Sequence, residues 1–531
     1  MVESGSKTCH PGEARGTISR PIILVKSGMH IPVVDIFAGP GGLGEGFSGY
    51  TTTRSSARHP FKISISAEME VNATKTLRLR AFYRQFSAGK VPPSYYDYVS
   101  GRSATPWTER TALEWNVACH EARQLKLGDP NDDDVLHTRI REVASRDVPW
   151  VLIGGPPCQA YSLVGRARNR GVVGYRAEED PRHFLYQHYL KILQNYSPAA
   201  FVMENVKGIL SSRVGGELML PRILSDLRGP RGRNGPRYRI LPLVADHSDI
   251  LDEDDGRRYI LKAEELGVPQ ARHRVVLFGV REDIDVSAIR QIKRSPNEFN
   301  VGDVIRGMPK LRSGITNVDF DDWPASAKEI LLRAAELSED AAVSAELRRQ
   351  SKLVPGLDAG PGGRSMPHAA SVDDVPDHLR SWLLDKRLGY ILNHEVRPHM
   401  WMDLVRYGYA SAFAAVNGRA PRGSAEFPEL MHPNHENWTS GKFVDRFKVQ
   451  SWDGPSSTVT SHLQKDGHYF IHPDPTQLRS LSVREAARLQ TFPDNYFFEG
   501  ARGAQFRQVG NAVPPWMARQ IAAVVYSALE G

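Results

Sequence analysis

A cysteine set behind two prolines is the first residue here that could do chemistry. The 531-residue chain holds three cysteines, Cys9, Cys119 and Cys158. They are too few and too scattered for a disulfide framework, and no C-x-x-C pair offers a zinc site. Cys158 lies in GGPPCQAYS (154–162), directly after the apolar run VPWVLI. The Pro-Pro pair restricts the backbone ahead of it. That would hold the sulfur at a strand end, where open α/β sheets take their ligands. A thiolate beside its target is a nucleophile, whereas an ordinary buried cysteine is only a small core residue. The neighbours favour the nucleophile. FVMENV (201–206) ends in Glu204 and Asn205, and Gln270, Arg272 and Arg274 form Q-x-R-x-R beside RVVLFGVR. A sulfur, an acid and two arginines at strand ends would face one crevice.

A second constellation is the loop FAGPGGLG (37–44), which contains G-x-G-x-x-G as Gly39, Gly41 and Gly44. It follows an apolar strand pattern and precedes a helix start, the context of a dinucleotide site. Three readings stay open on the loop alone: a nicotinamide dinucleotide, S-adenosylmethionine, or a plain strand–helix turn. Glu68, ending the next strand pattern, suits ribose hydroxyls. Asp35 before the turn and Asp129 in GDP (128–130) add acceptors for an amine and an adenine. A pyrophosphate would be repelled by so many acids, so the set favours S-adenosylmethionine.

These residues need a frame that puts strand ends side by side. MHIPVVDI, FKISISAE, LKLGDP (125–130), VPWVLIGG, AAFVMENV and RVVLFGVR read as strand patterns or strand ends, with helices over 71–86 and 184–196 between them. Alternating strands and helices predict an α/β fold, a parallel sheet with helices on both faces. Residues 1–29 read as a flexible arm and 87–122 as a turn-rich insertion. After about residue 300 the alternation stops. Residues 301–455, with a single amphipathic helix over 326–350, read as a second domain. Residues 456–531 restore order with a capped helix over 481–492 and a closing apolar helix.

Composition narrows the classes. No apolar run reaches the ~18–20 residues of a membrane span, and the polar N-terminus has no signal-peptide core. The expectation is a soluble intracellular protein without a membrane or a metal; His394 and His399 stand five apart rather than the four of a helical metal pair. Net charge is +7. RARNRGVVGYR (166–176) carries four arginines and RGPRGRNGPRYR (228–239) five, with no acid in either. Two such glycine-containing loops favour phosphate contact.

One reaction uses the whole set. Carbon 5 of cytosine is a poor nucleophile until a thiolate adds to carbon 6 and an acid relieves charge at ring N3. The ordered motifs DIFAGPGGLGEGF (35–47), AEME (67–70), GDP (128–130), GGPPCQAYS, DPRHFLY (180–186), FVMENVKGIL (201–210), GVPQARHRVVLFGVR (267–281), RSLSVREAARLQTFPD (479–494) and QVGNAVPP (508–515) reach toward both ends of the chain. On them the sequence resembles the DNA (cytosine-5)-methyltransferases of bacterial modification and defence systems.

The resemblance implies a Rossmann-like, mostly parallel sheet in a catalytic domain over 30–300 and a smaller target-recognition domain over 301–455. Residues 456–531 would return to the catalytic domain. Cys158 would be the nucleophile, Glu204 the acid at N3, Asn205 a positioning residue, and Arg272 and Arg274 the arginines around the target base. Phe37, Gly39, Gly41, Gly42, Glu68, Met69, Asp129, Pro157, Leu185, Asn511, Ala512 and Val513 would hold the cofactor S-adenosylmethionine. Gln159, Arg166, Arg168, Arg170 and Gln270 would contact double-stranded DNA, the three arginines on a lid that closes over a flipped base. A cognate restriction endonuclease or defence proteins would be its partners, and the cytoplasm, on nucleoid DNA, its place. The family's tRNA-methylating branch is the alternative; the large turn-rich 301–455 segment favours DNA.

Overall fold

The computed structural model describes residues 29–52, 59–146, 148–156, 185–214, 216–230, 232, 235–245, 255–295, 298–316, 323–354, 359–367, 377–434, 438 and 446–530. Eight strands form the main sheet: β1 (Ile31–Ile36), β2 (Phe61–Glu68), β3 (Ala122–Gln124), β4 (Val151–Gly154), β5 (Ala200–Val206), β6 (Tyr238–Leu241), β7 (Ile260–Lys262) and β8 (His273–Arg281). Their order is β3-β2-β1-β4-β5-β8-β6, with β7 paired to β8. The first five run parallel, and β8 lies antiparallel between β5 and β6. Every residue of β1 and β4 is buried, as expected for strands covered on both faces, whose sequences are near-continuous apolar runs.

Helices cover both faces. On one face pack α1 (Gly42–Ser48) and the last helix of the chain, which together with β1 and β4 residues such as Val33 and Ile153 build one core. On the other face lie α5 (Pro130–Ala144), α6 (Leu185–Tyr196) and α7 (Met219–Arg228), burying Leu136, Ile140, Leu193 and Leu224 against Val34, Ile36 and Leu152. Between β2 and β3 come α2 (Val71–Tyr83), α3 (Pro93–Val99) and α4 (Ala112–Glu121). The strand order turns round between β1 and β4, so a crevice opens beyond their carboxyl ends, the place where such sheets bind ligands. The loops after β1 and β4 are its walls.

A separate core gathers Ile315, Leu331, Val343, Leu347, Tyr407, Phe413 and Phe447 from α8 (Trp323–Leu337), α9 (Ala341–Ser351), α10 (Trp401–Asn417) and their loops. A hairpin of β9 (Gly362–Pro367) and β10 (Tyr390–Glu395) pairs antiparallel and buries Leu392 with the insertion between β2 and β3. The chain then returns through α11 (Val483–Leu489), α12 (Arg502–Asn511) and α13 (Pro515–Leu529). α11 starts on a capping box, with Ser482 accepting from Glu485 N and Glu485 accepting from Ser482 N. α13 starts on Pro515, whose missing N–H costs nothing at the first helical position.

Three local expectations are corrected. The third strand is Ala122–Gln124, not the LKLGDP run; in that run Asp129 caps α5, accepting from the amides of Asn131 and Asp132 at 3.0 and 3.4 Å. The single helix over 326–350 is two helices, because Asp340 accepts from the amides of Ala342 and Val343 and starts a new one. The insertion is largely helical; its tyrosines bury themselves against α2 and Phe497.

Candidate active site

The glycine loop leaves β1 in an unusual backbone. Phe37 sits at φ 54°, a left-handed conformation that costs a non-glycine residue roughly 1–2 kcal/mol. Two hydrogen bonds hold it there: Ala38 N donates to Ala67 O at 3.2 Å, and Gly39 N donates to Glu68 Oε2 at 2.8 Å. Gly39 has φ 57°, and a methyl group built on it meets nothing within 4 Å. Among the described residues nothing closes the loop on that side. On the other it is closed, since a methyl group on Gly42 would lie 2.1 Å from Val513 O. Within the C-terminal stretch Asn511, Ala512 and Val513, Val513 therefore lies against the loop, with Ala512 and Val513 buried and Asn511 exposed.

Glu68 ends β2 with one oxygen bonded to this loop and the other to its own turn. Oε1 accepts from Glu70 N at 2.8 Å while Oε2 accepts from Gly39 N. Burial pushes its carboxyl above the usual range, against the pull of those amides. Each carboxylate oxygen has a second lone pair for a ligand. Beside it Met69 is 61% exposed and Val71 47% exposed, an apolar shelf of the kind a flat heterocycle covers. Asp35 lies beneath, fully buried, and neither of its oxygens has a hydrogen-bond partner among the described residues. Burial raises its pKa well above the ordinary value, opposed by Arg84 and assisted by Glu68 and Glu121. Asp129 and Leu185 stand at the starts of α5 and α6, both half-buried. Orphaned acid, open glycine and exposed shelf fit a cofactor that brings a positive charge and an adenosine.

The other wall belongs to β5 and β8. Their register pairs Asn205 with Val275 and Glu204 with Val276, which brings Arg274 beside Glu204. Arg274 Nε lies 2.8 Å from Glu204 Oε1, though too far off line to count as a hydrogen bond, so the contact is an ion pair. Oε2 is held over Gly155, where an added methyl group would approach it to 2.9 Å. Asn205 donates through Nδ2 to Pro156 O at 3.4 Å and accepts through Oδ1 from Val206 N at 2.8 Å. It thus ties the end of β5 to the loop that leads, two residues on, to Cys158. Pro157, Cys158, Gln159, Arg166, Arg168 and Arg170 lie outside the described residues.

Several predicted contacts are placed elsewhere. Gln270 is fully buried, donating to Leu489 O at 3.2 Å and accepting from Val459 N at 2.9 Å; no atom of it is left for DNA. Arg272 is 1% exposed and donates to Val459 O at 2.7 Å and Gly510 O at 3.1 Å. It bolts the returning C-terminal chain to the sheet rather than facing a base. In the second arginine-rich loop, Arg239 donates to the carbonyl of Ile284 and Arg237 pairs with Glu282 at 3.3 Å. Residues the sequence did not flag also act here. Gly155 makes room for Glu204, and Tyr496 donates its hydroxyl to Pro40 O inside the glycine loop. The run TFPDNY carried that tyrosine in plain view, four residues past the apparent end of the α11 pattern.

Comparison with known proteins agrees with this geometry. The family model for C-5 cytosine-specific DNA methylases matches residues 110–250 and 405–527. The type II methyltransferase M.Bpa9945I of Bacillus paralicheniformis is 32% identical over 521 residues, 94% of this chain and 99% of its own. The type II methyltransferase M.AgeI of Thalassovita gelatinovora is 28% identical over 71% of this chain and 83% of its own. The type II methyltransferase M1.HphI of Haemophilus parahaemolyticus is 25% identical over 94% and 87%.

Proposed function

This chain belongs to the C-5 cytosine-specific DNA methylase family, and on that footing we propose that it methylates carbon 5 of cytosine within a specific double-stranded DNA sequence, using S-adenosylmethionine and a covalent Cys158 adduct. The observation that carries the proposal is the pairing across the switch point. A glycine loop after β1, bonded to the Glu68 carboxylate, and the Glu204–Arg274 ion pair at the ends of β5 and β8 lie on the same carboxyl-end side of the sheet, joined through β4.

The protein's own groups divide the work. Asn205 anchors Pro156, which precedes Cys158 by two residues in the sequence. A flipped cytosine exposes carbon 6 to its thiolate, which a stacked base does not. Sγ forms a bond to carbon 6, and the electron pair of the 5,6 double bond shifts into the ring. Glu204 holds a proton at N3, where negative charge would otherwise build. Arg274 fixes the carboxyl group in place for that transfer. When bound, S-adenosylmethionine supplies the electrophilic methyl group that carbon 5 takes up. A base then removes the carbon-5 proton, the electron pair re-forms the 5,6 double bond and expels the thiolate from carbon 6, and N3 gives its proton back to Glu204. Glu68 would hold the ribose hydroxyls, Met69 and Val71 the adenine face, and Asp35 would sit under the cationic end.

The test is to incubate the protein with S-adenosylmethionine and unmethylated plasmid and to map 5-methylcytosine by bisulfite sequencing. Methylation at one recurring sequence is expected. Transfer to tRNA with none to any DNA would overturn the proposal. Cys158→Ser should abolish transfer and leave cofactor binding near that of the parent; retained turnover would remove Cys158 from the mechanism. Such an enzyme would act on nucleoid DNA in the cytoplasm, paired with a restriction endonuclease or other defence proteins.

A further inference from the structure

The insertion between β2 and β3 has no part in the chemistry above, yet two bonded routes run from it to the glycine loop. The first starts at Tyr96 on α3. Its hydroxyl donates to Asp385 Oδ2 at 2.9 Å, and the same oxygen accepts from Asn495 Nδ2 at 2.9 Å. Asn495 Oδ1 in turn accepts from Arg80 Nη1 at 2.9 Å. Arg80 grips Glu45 of α1 with both Nε and Nη2, at 2.9 and 2.5 Å. The second route starts at the last residue of α4. Glu121 Oε1 lies 2.5 Å from Arg84 Nη2, and Arg84 Nη1 lies 3.6 Å from Glu45 Oε2. Both routes end on Glu45, which is 4% exposed and lies in the short helix that the glycine loop opens.

Buried ion pairs of this kind tolerate no missing partner, because a charge left alone in the core is costly. Glu45 needs its arginines, and the arginines need Asn495 and Glu121. The loop itself rests on the same group of residues. Tyr496, next to Asn495, donates to Pro40 O, and a methyl group on Gly41 would come within 2.7 Å of Leu77 and 2.9 Å of the Tyr496 hydroxyl. The loop therefore has no slack to absorb a shift of α1 or of residues 495–496.

We infer that the insertion braces the cofactor loop, and that Tyr96 and Glu121 are positioning residues for cofactor binding, acting through Glu45 and Asn495 without touching the ligand. This rests on the assignment of the glycine loop to S-adenosylmethionine. The insertion also grips the β9–β10 hairpin, with Arg364 Nη2 donating to Tyr98 O and Ser365 Oγ to Ser100 O, both at 2.9 Å. The brace is thus seated on two sides.

The experiment titrates S-adenosylmethionine calorimetrically into the full chain without DNA, and into Tyr96→Phe and Glu121→Gln. Tyr96→Phe removes one oxygen and keeps the ring in its apolar seat, so it tests the inference even if Glu121→Gln does not fold. Indirect positioning effects of this sort are worth about three- to thirtyfold in affinity at most. The expected result is a cofactor Kd raised about three- to tenfold in Tyr96→Phe. At saturating cofactor, kcat should stay within twofold of the parent. Binding by Tyr96→Phe within twofold of the parent overturns the brace and leaves the functional assignment standing. An equal fall in kcat with no change in Kd also overturns it. Failure of the parent chain to bind removes both.

Discussion

Arg272→Met separates two roles for one buried arginine. As a residue facing the base, Arg272 would be lost at little cost in stability and large cost in rate. As a bolt, it would behave the other way. Its two Nη atoms serve the carbonyls of Val459 and Gly510. A methionine fills most of the same space and donates to neither. Each buried carbonyl left without a donor costs roughly 1–3 kcal/mol. Part of that is recovered, because the guanidinium is itself unhappy there. Burial pushes its pKa well below the ordinary arginine range, and the neighbouring Arg274 adds to the effect. The net loss is about 2–3 kcal/mol by the same hydrogen-bond values. With a urea dependence of about 3 kcal/mol per molar for a chain of this size, the midpoint should fall by roughly 1 M. Tryptophan fluorescence in urea reads the midpoint, and methyl transfer at low temperature reads the rate. The expectation is a lower midpoint with kcat within about tenfold of the parent. An unchanged midpoint with a rate loss above a hundredfold would refute the bolt and return Arg272 to the base.

Gly155→Ala should act on the rate alone. Its methyl group would come 2.9 Å from Glu204 Oε2, so the carboxylate must swing away, and misplacing such a group costs up to about a hundredfold; single-turnover transfer should fall while the cofactor Kd is unchanged. Gly42→Ala should act on the loop, since its methyl group would meet Val513 O at 2.1 Å and neither backbone can yield easily. A stability loss of about 1–3 kcal/mol is expected, with a cofactor-induced rise in melting temperature smaller than that of the parent. Acid should destabilise the chain. Burial holds His394 at about 4 and His472 at about 3, below the ordinary value of about 6.5. The unfolded chain therefore takes up protons first, and stability falls as pH drops below about 6.5. Between pH 8 and pH 5 the loss is roughly 2 kcal/mol for each histidine; a flat urea midpoint across that range would rule the mechanism out.

The parts of the site legible in the sequence are those where backbone, not side chain, sets the requirement. Gly42 is glycine because Val513 O touches it, and Gly46 because α13 backbone lies 2.5 Å from where its methyl group would be. Such demands leave a spaced pattern. The runs of β1 and β4 were equally plain, because a strand covered on both faces is near-continuously apolar, with Asp35 the one charged residue in the two. Arg272 and Gln270 were not legible, since an arginine looks the same in sequence whether it holds a carbonyl or a phosphate. Asp129 carried its own warning: Asp-Pro is the sequence of a helix cap followed by a first-turn proline. β3 was missed because three edge residues, ARQ, carry no period. Beyond residue 300, Arg397 turned inward while Arg419 stayed exposed. Arg397 donates to the carbonyls of Leu463 and Gln464, and Arg419 pairs with Glu426 at 2.6 Å.

The charge around the glycine loop bears on the ligand proposed for it. A dinucleotide places a pyrophosphate over the first turn of α1, where amides and a nearby cation would receive it. Among the described residues, Arg80 and Arg84 both reach Glu45 of that helix. Arg80 is committed to Glu45 and Arg84 to Glu121. What faces the loop instead is Glu68, bound to Gly39 N, with the unpartnered Asp35 below. Two phosphates would meet the Glu68 and Asp35 carboxyl groups, with Arg80 and Arg84 already paired to Glu45 and Glu121 among the described residues. A sulfonium would meet the reverse. The buried pairs therefore do more than fill the core between α1 and α2. By holding both arginines down, Glu45 and Glu121 keep the loop's field negative, and Glu121 is the residue that ends the insertion's last helix. Removing it would free a cation under the loop as well as loosen a brace.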